Sequence, residues 1–426
     1  VLVRVLRDAA FAAAALDAEL ERNVQLETRD RALATELVYG TLRLLRWLEK
    51  RVARHAPRGL GSLDVHVRAH LFLAAYQLLA LTRVPAFAAV SEAVDSIRAL
   101  RGDRVGGFAN AVLRKIASEP KPDAAELARA SLASADPALA KAIVESVGEA
   151  AALRLVAADE SPPLGIRVEN ASARDRWVAR FREARPDAVV EPGRVSPHAV
   201  LVRGAGRVTE LPGYEEGAWT AQEEGSQVIA LALGAREGEA VLDACAGRGN
   251  KTGLLAARVG PHGAVDAADL HPQKLERLAE ELGRIGRRPR ATFAVDWSKG
   301  AGGVTGPYDR VLVDAPCSGT GTLRRRPDIL LRRSGSDVRE LADLQRAILA
   351  RAAALVKPGG RVVYAVCSVL RDEGELVVSA AAELGLAPAP FDADLGEHVA
   401  SRDATSFRLL PHEHGTDGYF VASFVR

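Results

Sequence analysis

The sequence predicts a multidomain protein: an all-α bundle, a small α/β connector, and then an α/β doubly wound, Rossmann-like domain. Three observations lead there. Between Arg31 and Ala117 apolar residues recur at helical spacing. From Glu239 onward short β-rich runs alternate with helical stretches, the pattern of a parallel sheet covered by helices. Between these regimes lie two breakers, Glu119-Pro-Lys-Pro-Asp123 and Ser161-Pro-Pro163. The expected division is 1–136 for the bundle, 137–235 for a helical linker plus the connector, and 236–426 for the last domain.

Each element follows from its local pattern. The apolar run Ala9 to Leu16 is flanked by Asp8 and Asp17, and its Leu/Ala spacing continues beyond, so it reads as a helix rather than an export signal. Leu33, Leu37, Leu44 and Leu48 share one face of a helix expected over Arg31 to Lys50. Further helices are expected over Val65 to Leu81, Ala86 to Leu100 and Val105 to Ala117, with short turn-like links, which makes a compact bundle. A helical stretch runs from Pro137 to Ala157. In the connector, apolar runs Leu164 to Val168 and Ala199 to Val202 surround a helix near Arg174 to Glu183. The last domain has strands at Ala240 to Ala244, Ala264 to Ala268, Ala291 to Val295, Arg310 to Val313, Val362 to Val366 and Gly418 to Val425. Helices are expected at Lys251 to Val259, Pro272 to Gly283 and Val338 to Val356.

Composition narrows the class. With 426 residues, 48% hydrophobic and 26% charged, the chain has a globular make-up that excludes general disorder. The longest apolar stretch, Leu71 to Leu81, holds Gln77 and is too short to span a bilayer, so no membrane partner is expected. Three cysteines, with no Cys-x-x-Cys spacing, support neither a disulfide framework nor zinc, and fit a reducing, cytoplasmic setting. His66 and His70 stand four apart but lack a third ligand, and His412-Glu-His414 reads as a solvated loop, so no metal is expected. Net charge is +2, yet Val1 to Pro120 carries 18 Lys and Arg against 13 Asp and Glu. Arginine's planar fork suits phosphate, so a nucleic-acid partner is allowed. Arg324 to Arg333, with five arginines and one aspartate, has a solvated charged face as its ordinary reading, but its place beside Cys317 favours a clamp for nucleic-acid phosphates.

The first strand–helix turn of the last domain is Asp243-Ala-Cys-Ala-Gly-Arg-Gly-Asn-Lys-Thr-Gly253. Its glycines allow close backbone approach to a ligand at a helix N-terminus. The dinucleotide pattern G-x-G-x-x-G fails at Thr252, and a P-loop fails because Asn250 precedes Lys251. Asp269 ends the second strand, where a carboxylate suits ribose hydroxyls, while Asp296 and Asp314 end the third and fourth. Together these acids and the loop favour S-adenosylmethionine over a nicotinamide cofactor.

Two cysteines stand at the same edge: Cys317 in Asp314-Ala-Pro-Cys-Ser-Gly-Thr-Gly321 and Cys367 in Tyr364-Ala-Val-Cys-Ser368. That arrangement has a use in pyrimidine chemistry. Cytosine C5 is a weak nucleophile, but a thiolate added at C6 turns the ring into an enamine that accepts a methyl group at C5. The thiol needs activation, because only a few per cent of a free cysteine is ionised at neutral pH. Helix N-termini and Arg324-Arg325-Arg326 are candidates for that activation, and Asp314 for polarising the ring. A single base flipped into a pocket is the expected mode of nucleic-acid binding.

At these residues the sequence resembles the RNA cytosine-5 methyltransferases, with Gln222-Glu-Glu-Gly-Ser-Gln227 similar to the family's entry motif. The segments Arg31 to Leu48, Ala75-Tyr-Gln-Leu-Leu79 through Val84-Pro85, and Gly107-Phe-Ala-Asn-Ala-Val-Leu-Arg-Lys115 resemble a NusB-like RNA-binding bundle. Bundle and catalytic domain together are similar to the bacterial RsmB (Fmu, Sun) type, over nearly the whole chain. The resemblance implies methylation of cytosine C5 in small-subunit ribosomal RNA, of the cytosine-967 type. It makes Cys367 the nucleophile and Cys317 the residue that helps resolve the adduct. It assigns Cys245, Ala246, Gly247, Arg248, Gly249, Asn250, Lys251, Asp269, Asp296 and Asp314 to S-adenosylmethionine, and a monomer is expected. The chain departs from the family's Cys-Ala-Ala-Pro-Gly-Gly-Lys-Thr by Arg248 for Pro, has Val366 for the usual Thr, and reads Asp372-Glu-Gly374 for Glu-Glu-Asn. Two rivals stay open: a transfer-RNA cytosine-5 methyltransferase, and an inactive RNA-binding assembly factor.

Overall fold

A computed structural model describes residues 1–157 and 161–426. The chain divides into two compact units: Val1–Ser161 with Leu323–Gly335, and Pro162–Thr322 with Ser336–Arg426.

The first unit is helical: α1 (Leu2–Asp8), α2 (Ala12–Arg22), α3 (Thr28–Arg43), α4 (Leu45–Arg54), α5 (Val65–Ala80), α6 (Ala86–Arg101), α7 (Asp103–Ala117), α8 (Ala124–Leu132), α9 (Pro137–Val147) and α10 (Glu149–Ala157). Helix α5 is apolar nearly all round, and it is the axis of the core: Leu71, Phe72, Ala75 and Leu79 pack against Leu48, Val52, Ile97 and Leu113. Asp64 caps it by accepting from the His66 N–H.

The helix expected over Arg31 to Lys50 is broken at Leu44 (φ −103°, ψ 11°). Just before the break, the Thr41 hydroxyl bonds the Leu37 carbonyl, a side-chain bond that competes with the helix ladder. The turn lets the neighbours Leu44 and Leu45 both enter the core. The stretch Pro137 to Ala157 is likewise two helices, parted at Gly148. Helix α8 follows what the sequence presents as a breaker, because Asp123 caps it through the Glu126 N–H.

The returning segment Leu323–Gly335 changes the reading of the arginine run. Asp328 accepts from the Ala12 N–H at 3.3 Å, Arg332 donates to the carbonyls of Ala9 and Ala10, and its guanidinium lies 4.0 Å from the Phe11 ring centre. Arg332, expected in a phosphate clamp, therefore holds the turn between α1 and α2.

The second unit contains two sheets. Strands β1 (Leu164–Val168), β2 (Val189–Pro192), β3 (Ala199–Arg203) and β4 (Trp219–Ala221) form an antiparallel sheet in the order β2-β3-β1-β4, with α11 (Arg174–Ala184) packed through Val178 and Phe181. The large sheet comprises β5 (Ala240–Asp243), β6 (Ala264–Asp269), β7 (Ala291–Ala294), β8 (Tyr308–Asp314), β9 (Val356–Val366), β10 (Ala387–Pro388), β11 (Ser406–Leu409) and β12 (Tyr419–Val425). Its order is β10-β12-β9-β8-β5-β6-β7; β5 to β9 are parallel, β12 runs antiparallel to β9, and β11 pairs with β12. Apolar clusters cover both faces, with α12 (Glu224–Ala232), α13 (Asn250–Val259) and the Gly335–Ala353 helix contributing. Helix α14 (Pro272–Arg284) packs through Leu275, Leu278 and Leu282. The strand order reverses between β5 and β8, and a doubly wound sheet opens its crevice at the carboxyl ends of such strands.

Candidate active site

Strand β5 runs directly into the glycine loop. Gly247 and Gly249 hold φ of +57° and +87°, the left-handed region where a side chain is strained. A Cβ on Gly249 would lie 2.6 Å from Leu278, so that glycine packs the loop onto α14. A Cβ on Gly247 would meet nothing within 4 Å, so the loop's outer face is open. Asp269, at the end of β6, accepts from the Gly247 N–H at 3.0 Å and the His271 N–H at 2.9 Å, with Lys274 at 3.4 Å. It shapes the loop from below. Asn250 donates to the Ala221 carbonyl, and Arg248 is exposed. Asp296 follows β7 and takes the hydroxyl and N–H of Ser298 and the Lys299 ammonium, which hold its carboxyl below the usual range. Burial, with Asp314, Asp243 and Asp269 nearby, pushes the Cys245 thiol well up; such a cysteine stays protonated.

At the centre of the crevice Lys251 donates to Asp314 at 2.6 Å. Burial alone would depress an ammonium, but Asp314, Asp243 and the Cys367 sulfur outweigh it and hold Lys251 above its ordinary value. Asp243, fully buried at the end of β5, accepts from the Thr252 hydroxyl at 2.8 Å; burial pushes its carboxyl up to about 6.

The two cysteines meet because β8 and β9 are adjacent and parallel. Cys317 lies in the loop after β8 and Cys367 directly follows β9, with their sulfurs 3.2 Å apart. The hydrogen bond with Cys367, then burial, raise the Cys317 thiol well above its ordinary value. The segments are laced together. Gly321 N–H donates to the Cys367 carbonyl, Thr320 and Ser368 hydroxyls lie 3.0 Å apart, and Val369 N–H donates to Thr320. The fully buried Glu373 accepts from the N–H and hydroxyl of Ser318.

The structure thus brings Lys251, Asp314, Cys317 and Cys367 to one place, with the glycine loop and Asp269 at its side. Sequence reasoning missed Asp243, the Lys251–Asp314 pair and the partners of Glu373. Its candidate activating charges were helix N-termini and Arg324-Arg325-Arg326; Lys251, held up by Asp314 with Asp243 and the Cys367 sulfur nearby, was not among them. The only signal for this was the Lys following the loop glycines. The Gln222–Gln227 motif is a structural joint. Glu223 caps α12 and takes the Asp417 N–H and the Tyr419 hydroxyl, Glu224 takes the N–H groups of Val195 and Ser196, and Gln227 bonds Ser196 and Gln222.

Comparison with known proteins follows the same division. The family described as 16S rRNA methyltransferase RsmB/F matches residues 230–425, and the NusB family matches residues 1–118. The ribosomal RNA small subunit methyltransferase B of Klebsiella pneumoniae subsp. pneumoniae is 33% identical over 410 residues, covering 94% of this chain and 91% of that one. The protein of the same name from Shewanella oneidensis is 31% identical, covering 98% of both. The crystal structure of PH0851 superposes with a TM-score of 0.77 at 24% identity, covering 96% of this chain and 93% of that one, a likeness of fold. With this relatedness over nearly its whole length, and with the bundle and the sheet domain in the matching order, the chain belongs to the RsmB/F family of 16S ribosomal RNA methyltransferases.

Proposed function

We propose that this methyltransferase modifies C5 of a cytosine in 16S ribosomal RNA, of the cytosine-967 type, through a covalent bond between Cys367 and C6. The observation that carries this reading is the pair of thiols 3.2 Å apart, beside a half-buried lysine–aspartate pair. A lone buried cysteine is ordinary core filling; two in contact at the crevice edge of adjacent strands are not.

S-adenosylmethionine is the methyl donor, supplying an electrophilic methyl group on a sulfonium. The residues present fit it: the open side of Gly247 gives room for a ligand against bare backbone, and Asp269 stands at the strand end suited to ribose hydroxyls. We assign Cys245 to Lys251 to the wall of that subsite, with Asp269, Asp296 and Asp314.

In the proposed reaction Lys251, kept as an ammonium, stabilises the Cys367 thiolate, as a nearby cation does for reactive cysteines. The Cys367 sulfur bonds to C6, and Asp314 contacts N3 or the exocyclic amine of the ring. C5 takes the methyl group. The C5 proton then leaves to a base, the Cys367–C6 bond breaks, and aromaticity returns; Cys317, touching Cys367, serves this release. The helical bundle engages structured RNA, and the enzyme works as a cytoplasmic monomer. Among the described residues no helix is long and apolar enough to cross a membrane.

The test offers purified protein and tritiated S-adenosylmethionine to 16S ribosomal RNA and to bulk transfer RNA, followed by nucleoside chromatography. The expected product is 5-methylcytidine in the ribosomal RNA. Label confined to transfer RNA would replace the substrate, and RNA binding without methyl transfer would favour the assembly-factor reading.

A further inference from the structure

The geometry assigns Glu373, acting with Gln345, as the residue that positions Cys317. This inference rests on the two-cysteine reading above. The peptide on each side of Cys317 is held by one buried pair of side chains. On the near side the Pro316 carbonyl accepts from the Gln345 amide at 2.9 Å; on the far side the Ser318 N–H donates to Glu373 Oε1 at 2.7 Å. The same Gln345 amide donates to Glu373 Oε1 at 3.1 Å, which closes the clamp, and the Ser318 hydroxyl donates to Oε2. The clamp is itself fixed, because the Tyr364 hydroxyl of β9 donates to the Glu373 carbonyl at 2.6 Å.

Three features separate this clamp from ordinary packing. Glu373 and Gln345 are both fully buried, and among the described residues no cation pairs with the carboxylate. A buried carboxylate without a countercharge is costly, and an apolar side chain would fill the space more stably. Its acceptors are turned on the Cys317 loop: two of the three donors come from Ser318, and the third is the amide that also holds Pro316. Finally, Glu373 lies on the segment that follows Cys367, so it ties the loop of one cysteine to the strand end of the other. With its backbone fixed on both sides, Cys317 has little freedom to leave contact with Cys367. The negative carboxylate also helps keep the Cys317 thiol high.

The consequence is specific to one step. Loosening Cys317 impairs release of the adduct, while attack by Cys367 and the first methyl transfer are spared. The experiment uses the full chain with 16S ribosomal RNA and S-adenosylmethionine, comparing wild type, Glu373→Gln, Ser318→Ala and Cys317→Ala. It reads single-turnover methyl transfer, steady-state kcat and KM, and covalent protein–RNA adduct on denaturing gels. Glu373→Gln is expected to accumulate adduct and lose roughly tenfold or more in kcat, with KM for RNA and the first turnover little changed. Ser318→Ala, which keeps the backbone N–H, should do the same more weakly, and it decides the matter if Glu373→Gln does not fold. Wild-type turnover of the folded variants, or equal loss of the first methyl transfer and of turnover, overturns the assignment. If Cys317→Ala itself turns over without trapped adduct, the two-cysteine reading fails instead.

Discussion

Asp243 and Lys251 stand at either end of the glycine loop and respond to burial in opposite ways. Lys251 has a full countercharge in Asp314 and stays ionised, whereas at Asp243 burial, helped by the charge of Asp314, outweighs the Thr252 hydrogen bond and the Lys251 charge, so its carboxyl rises to about 6. Because the folded protein keeps that proton to a higher pH than the unfolded chain does, folding stability falls as pH rises from about 4 to about 6, then levels. Asp243→Asn mimics the protonated form and keeps an acceptor for Thr252. Between pH 4 and pH 7 wild type should therefore lose about 2 kcal/mol more stability than Asp243→Asn, read by denaturant unfolding at each pH. Parallel pH profiles would contradict this. At this scale the sequence was informative where a residue's chemistry is rare, as for two cysteines at strand ends. It was silent where a role depends on a partner far along the chain. Glu373 meets Ser318 across 55 positions, and Lys251 meets Asp314 across 63.

The two loop glycines make different demands on the strand–loop–helix element that carries them. At Gly249 a methyl group would strike Leu278, but at Gly247 it would enter open space on the side assigned to the methyl donor. Gly247→Ala is thus expected to cost only about 1 kcal/mol of stability from the left-handed backbone, yet to weaken S-adenosylmethionine binding measurably in calorimetry. Unchanged affinity would move the subsite away from Gly247. Element types were largely legible, since the parallel strands and their helices announced themselves by alternation. Breaks within elements were not: the turn at Leu44 serves the burial of two adjacent leucines, a tertiary demand that helical periodicity does not encode. Strands β2 and β4, of four and three residues, are too short to show a period of their own and are held by their neighbours in the small sheet.

Over the whole molecule, the segment Leu323–Gly335 follows the Cys317 loop in the chain yet packs as part of the helical unit, anchored there by Asp328 and Arg332. The arginine run after the Cys317 loop is thereby partly a structural tie, which composition alone could not distinguish from a phosphate clamp. The family, the order of the domains and the methyl donor were all legible from motifs whose spacing the fold respects. The central claim, that Cys367 carries the base while Cys317 releases it, is tested most directly by trapping. Cys317→Ala, Cys367→Ala and wild type are incubated with 16S ribosomal RNA and S-adenosylmethionine, resolved on denaturing gels, and any adduct is digested for peptide mass spectrometry. The account predicts a nucleotide-bearing peptide containing Cys367 from Cys317→Ala, none from Cys367→Ala, and turnover in wild type. An adduct from Cys367→Ala, carried on Cys317, would reverse the two roles and contradict it.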